Sequence, residues 1–170
     1  MFKLLVLLTT SLLILNAEGG ILSVQWPHKN TLQQKSQKTY PSALKNNIKN
    51  VELPILLPKA YIFNQRISVV ADKNFYSITI FLKGANLVIS ADKSYQLEMK
   101  DIDVKSQKIL KKVKQEFINS EGMMITDFSR YGINYSMMLE CDAFQQDKRC
   151  ANDAFLKKAY RDLVLVGGKR

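Results

Sequence analysis

Residues 133–141, INYSMMLEC, alternate without a break: Ile133, Tyr135, Met137, Leu139 and Cys141 share one parity, Asn134, Ser136, Met138 and Glu140 the other. A period of two is the signature of a strand with one face buried. Such a strand needs neighbours to pair its backbone and a second layer to cover its apolar face, which restricts the chain to a sheet packed on one side. Residues 75–82 repeat the pattern, with Tyr76, Ile78, Ile80 and Leu82 set against Phe75, Ser77, Thr79 and Phe81.

Further short apolar runs at 67–71, 86–90 and 95–99 flank that second strand. The connections Asp72-Lys73-Asn74, Lys83-Gly84 and Asp92-Lys93-Ser94 have the length and residue types of hairpin turns, so an antiparallel meander of four strands is expected. Residues 123–129 and 133–141 read as a hairpin turning at Arg130-Tyr131-Gly132, with Gly132 supplying the positive φ. The segment 53–58, LPILLP, carries two prolines that would interrupt a central strand and is read as an edge strand or extended lead-in.

Residues 104–117 place Ile109, Leu110, Val113 and Phe117 on one helical face and Lys105, Lys108 and Lys112 on the other. A helix or partial helix is expected there, although Ile109, Val113 and Phe117 also suit a strand. Near the end, Asn152 is placed to cap a helix whose Leu156, Ala159, Tyr160 and Leu163 form one face. Residues 163–166 suggest a final strand before Gly167-Gly168. The expected fold is α+β: an antiparallel sheet, meander plus hairpin, with a C-terminal helix packed on one face.

The N-terminus speaks to compartment. Met1-Phe2-Lys3 precedes an uncharged apolar run at 4–15 and then Asn16-Ala17-Glu18-Gly19-Gly20, the layout of a secretory signal peptide. A membrane span needs about 20 apolar residues; this run is shorter and includes Thr9, Thr10 and Ser11. Cleavage after Gly19 puts small residues at both recognition positions. Residues 1–19 are therefore read as a signal peptide, 20–50 as a basic, flexible leader poor in apolar residues, and 51–168 as a single domain. Trp26, conspicuous in the leader, is expected to pack on the domain's edge. Export makes a Cys141–Cys150 disulfide the expected state of the chain's two cysteines, closing a short loop and stabilising the fold by about 2–3 kcal/mol in the chain-entropy model.

Several of these residues resemble a family of uncharacterised exported proteins of Gram-negative bacteria: SEG at 120–122, FSRYGINY at 128–135, EC at 140–141, DKRC at 147–150 and LVGG at 165–168. The resemblance covers the last third of the chain and, loosely, the strand region. It implies a periplasmic protein with a disulfide and transfers no active site. The basic leader and the lysine-rich segment lie outside the pattern.

Catalytic chemistry finds little footing. The single histidine, His28, sits in the leader, so no His-centred triad is available within the domain, and no Gly-x-Ser-x-Gly elbow occurs. Carboxylate pairs such as Asp101 with Asp103 or Glu121 with Asp127 read as surface charge. No metal-ligand spacing is present, and no cofactor is expected. The formal charge of +10 is compatible with nucleic acid, but export removes that partner. Candidate binding residues are Arg130 and Tyr131 at the hairpin tip, where a guanidinium beside an aromatic ring suits a carboxylate or phosphate, and Lys105, Lys108 and Lys112, which suit an anionic surface.

The chain is accordingly read as an exported, periplasmic or secreted, non-enzymatic binding or accessory protein that meets an anionic lipid, a glycan or an envelope protein through a basic face. After cleavage it would not be an integral membrane protein. The alternative is an inhibitor or subunit that uses a sheet edge for strand addition; a hydrolase acting on cell-wall material is the third reading.

Overall fold

The computed structural model describes residues 19–27, 39–96 and 115–170. Its centre is a six-stranded antiparallel sheet built from β3 (Ile67–Ala71), β4 (Phe75–Leu82), β5 (Ala85–Asp92), β7 (Ile118–Ser120), β8 (Met123–Arg130) and β9 (Ile133–Cys141). The strand order is β3-β4-β5-β9-β8-β7. Alternation works as the sequence indicates: Tyr76, Ile78 and Ile80 of β4, Leu87 and Ile89 of β5, and Ile133, Met137 and Leu139 of β9 are all wholly buried.

The covering layer has three parts. Helix α1 (Ser42–Asn47) lies beside β3, and α3 (Ala154–Arg161) packs on β9. Between them runs a two-stranded antiparallel ribbon of β2 (Ile55–Pro58) and β10 (Leu163–Gly167). Leu53, Ile55, Leu56 and Leu57 are fully buried against the sheet. The fold is α+β, a sheet with a mixed layer on one face.

A second ribbon pairs β1 (Gly19–Ile21) with β6 (Ser94–Gln96). From it residues 22–27 run along the molecule as a strap. The Leu22 amide donates to the Lys93 carbonyl at 2.6 Å and the Gln25 amide to the Tyr131 carbonyl at 2.8 Å. Trp26 ends the strap against the C-terminus, with the Arg170 guanidinium 5.9 Å from its ring centroid. It packs on the domain's edge, as expected.

Three expectations need correcting. The meander has three strands, because the chain leaves the sheet after β5: Asp92 Oδ1 accepts from the Ser94 amide at 2.6 Å, Lys93 is buried with its Nζ 3.2 Å from Glu52 Oε2, and β6 pairs with β1. The place beside β5 goes to β9, which matches it residue for residue from Ala85↔Cys141 to Asp92↔Asn134. The stretch read as a flexible leader contributes to the core from Tyr40 onward, since α1 buries Leu44 completely and Ile48 follows. Arg130 belongs to β8, opposite Ile133, so the hairpin turn is Tyr131-Gly132 alone, with both φ positive at 56° and 75°. That pair of left-handed residues makes a type I′ turn, whose twist matches the strands it joins. Of the helix expected over 104–117, residues 104–114 lie outside the described residues, and 115–117 form no regular element.

Candidate functional site

The hairpin β8–β9 sets up an aromatic ladder. Phe128 faces Tyr135 across the register, and their rings stack at 5.2 Å with planes 8° apart. Helix α3 brings Tyr160 edge-on to Phe128 at 4.9 Å, and Phe117 meets Tyr160 edge-on at 6.0 Å. Arg130 lies two residues beyond Phe128 on the same face of β8. Its guanidinium carbon sits 5.4 Å from the Phe128 ring centroid and 5.3 Å from that of Tyr160, within the range of cation–π attraction.

The position of α3 follows from the disulfide loop. Cys141, the last residue of β9, bonds Cys150 with an S–S length of 2.09 Å, and Cys150 lies in α2 (Lys148–Ala151). Asp147 caps α2, its Oδ1 accepting from the Arg149 amide at 2.9 Å, and its carboxylate also pairs with the Arg149 guanidinium. Those bonds from Arg149 hold the Asp147 carboxyl down at about 2. Arg149 Nη2 in turn donates to the Lys83 carbonyl at 2.7 Å, tying the loop to the β4–β5 turn. The N-cap of α3 is Asp153, one residue later than the expected Asn152, and its side chain makes no capping bond; Asn152 Oδ1 accepts from the Ala154 amide at 3.0 Å.

The other side of the ladder is held by residues 115–119. Gln115 Nε2 donates to Thr126 Oγ1 and, at 2.9 Å, to the Asp127 carbonyl, while the buried Thr126 hydroxyl donates to the Glu116 carbonyl at 2.5 Å. Asn119 Nδ2 donates to the Cys150 carbonyl at 3.1 Å. Lys157 of α3 sits 5.5 Å over Phe117 and pairs with Asp153 at 2.6 Å. Lys158 and Arg161 of the same helix are exposed. The result is a guanidinium backed by two rings, next to a helix whose outer face is basic.

Of the sequence candidates, Arg130 is at this site, but its aromatic partners are Phe128 and Tyr160. Tyr131 sits in the turn, half-buried, with its carbonyl engaged by Gln25. Lys105, Lys108 and Lys112 lie outside the described residues, as do His28, Asp101 and Asp103. Glu121 stands in the β7–β8 turn and Asp127 within β8. Sequence reasoning missed Phe128, Tyr160, Phe117 and Lys157. The i, i+2 spacing of Phe128 and Arg130 carried part of that signal; the approach of α3 did not show in the chain order.

Among the described residues no group of His, Cys, Asp or Glu is arranged to hold a metal ion, and no helix is long and apolar enough to cross a membrane. No protein family, curated protein or solved structure matches this chain.

Proposed function

We propose that this is an exported, non-enzymatic binding protein that holds an anionic envelope component, a lipid headgroup or an acidic glycan, against the basic edge formed by the end of β8 and by α3. The observation that carries the reading is Arg130. Its guanidinium rests between Phe128 and Tyr160, and among the described residues no carboxylate pairs with it. Ring contacts leave the planar N–H donors unused, and a guanidinium fork matches phosphate and carboxylate geometry. Lys158 and Arg161 add exposed positive charge on α3. The lysine-rich run of residues 105–114 joins the fold at Gln115, which is bonded to β8.

Export is part of the proposal. The Cys141–Cys150 bond supports it, since disulfides persist in oxidising compartments, and so does the signal-like start of the sequence. Membership of the exported family with a C-terminal two-cysteine loop belongs to the same proposal and rests on the same bond.

The test is co-flotation of the protein spanning residues 20–170 with phosphatidylglycerol vesicles along a salt gradient, with phosphatidylcholine vesicles as the control. Association should weaken with salt and fall by roughly tenfold or more in the Arg130→Ala/Lys157→Ala double variant, each charge near an anionic surface contributing about 1 kcal/mol. Equal binding to both vesicle types, or none at low salt, rejects the reading. A second reading has its own observation: among the described residues β3 pairs only with β4, and Val70 on it is 60% exposed, an edge that suits strand addition by a protein partner. A single protein retained from envelope extract at high salt would favour it.

A further inference from the structure

The face of the sheet turned away from the core is patterned. Register sets Ser77 opposite Ser90, Ser90 opposite Ser136, and Ser136 opposite Asp127. Four short polar side chains thus cross β4, β5, β9 and β8 in one line, about 14 Å long at the usual strand spacing. The adjacent line runs Phe75, Asp92, Asn134, Ser129. On the other side the line runs Thr79, Val88, Met138 and Ile125, bulkier from β5 to β8. Short side chains make a floor and long ones a bank, and a hollow of 1160 Å³ lies over both polar lines.

The floor is rich in unused hydrogen-bonding groups. The half-buried hydroxyls of Ser77, Ser90 and Ser136 have no hydrogen-bond partner among the described residues, and each can donate and accept. Ser129 Oγ donates to Asn134 Oδ1 at 2.9 Å, which leaves the Asn134 amide hydrogens free to donate. Asp92 spends Oδ1 on Ser94 and keeps Oδ2. Phe75, 36% exposed, offers a ring at one end.

The charge of the hollow is opposite to that of the Arg130 edge. Asp92, Glu116 and Asp127 line it, and no lysine or arginine does among the described residues. An anion is disfavoured there, and an acyl chain would leave the serine hydroxyls and the Asn134 amide without partners. Dense, small donors and acceptors beside one exposed ring suit a molecule with hydroxyls along its edge and C–H groups on its face.

We infer that this trough binds an uncharged oligosaccharide, its hydroxyls bonded to the serine line, Asn134 and Asp127, with one sugar ring lying on Phe75. Phe128 and Tyr160 of the proposed anion-binding edge also line the hollow, but the serine line and Asn134 lie on the opposite face of the sheet from Arg130, and the sugar site does not depend on that guanidinium.

The experiment is a titration of the ¹⁵N-labelled protein spanning residues 20–170 with two neutral probes, an unbranched glucan tetrasaccharide and an N-acetylhexosamine tetrasaccharide, followed by amide shifts. Saturable shifts from at least one probe, centred on Ser77, Ser90, Asn134 and Ser136, are expected. The Ser90→Val/Ser136→Val double variant should bind at least about tenfold more weakly, two neutral hydrogen bonds having been removed. Asn134→Ala, on an exposed position, gives the same readout if the double variant fails to fold. Arg130→Ala and added salt should leave this binding unchanged. The inference is overturned if neither sugar gives saturable shifts, if the folded variants bind like the parent, or if binding requires Arg130 and fades with salt.

Discussion

Two tyrosine hydroxyls do the work of a missing strand. Among the described residues β2 has a strand, β10, on one side only, and its other side is buried, so Leu56 N–H and the Pro54 carbonyl would lack strand partners. Tyr76 Oη accepts from the Leu56 amide at 3.0 Å and Tyr135 Oη donates to the Pro54 carbonyl at 2.9 Å. Burial raises the pKa of both phenols far above the ordinary value, so both stay protonated at any pH the fold meets. Tyr135→Phe should therefore lower stability by about 1–3 kcal/mol, the cost of a buried polar group left unsatisfied. Denaturant unfolding checks this: the midpoint should fall with the slope unchanged. That both tyrosines face inward was legible from the period of two. What their hydroxyls meet was not, because Pro54 lies 81 residues from Tyr135 and alternation says nothing about the opposite layer.

At the scale of elements, the disulfide loop shows how a short helix becomes a fixed point. α2 has only four residues and would not persist alone; the Cys150 bond, the Asp147 cap and the reach of Arg149 to Lys83 anchor it. The Asp147 carboxyl, ordinarily near 3.8, is held at about 2. A depressed carboxylate contributes stability that is fully present above its unfolded value and is lost as pH falls through its folded one. The unfolding midpoint should drop as pH is lowered from about 4 to about 2, and Asp147→Asn should flatten that part of the profile while lowering the plateau above it. The pairing of cysteines was legible in sequence, and the start of α3 was legible to within one residue, its N-cap being Asp153 rather than Asn152. α2 itself was not, since four residues carry no period to read. β6 likewise failed as a meander strand because the buried Lys93, paired with the partly exposed Glu52, draws the chain out of the sheet plane.

At the scale of the molecule, the core begins earlier and the charge is distributed less evenly than the linear order implies. Tyr40, Leu44 and Ile48 are buried with the sheet and β2 in one cluster, so the polar composition of residues 28–50 conceals a helix that covers the β3 end. Leu44→Ala should cost about 2–5 kcal/mol, measured by thermal or denaturant unfolding; a change within a few tenths would mean that α1 is dispensable. The described residues hold 15 of the 25 basic and 11 of the 15 acidic side chains, so most of the net charge resides elsewhere in the chain. Two local groupings stand out among the described residues: Lys157, Lys158 and Arg161 on α3, whose Tyr160 meets Arg130, and Asp92, Glu116 and Asp127 around the trough. One sheet thus presents a basic edge and an uncharged-to-acidic face, surfaces suited to different ligands.

Local spacing was enough to read the buried parity of β4 and β9, a hairpin ending near Gly132 and the C-terminal helix, and a count of two cysteines was enough to read their pairing. Only the tertiary structure decided that β9 lies beside β5, that β6 joins β1, that β2 pairs with β10, and that Arg130 rests on Phe128 and Tyr160. Periodicity reports a side chain's face within its own strand, whereas a strand's neighbour is chosen by long-range burial and by closing the backbone's remaining hydrogen bonds, and many orders of the same strands satisfy the same alternation.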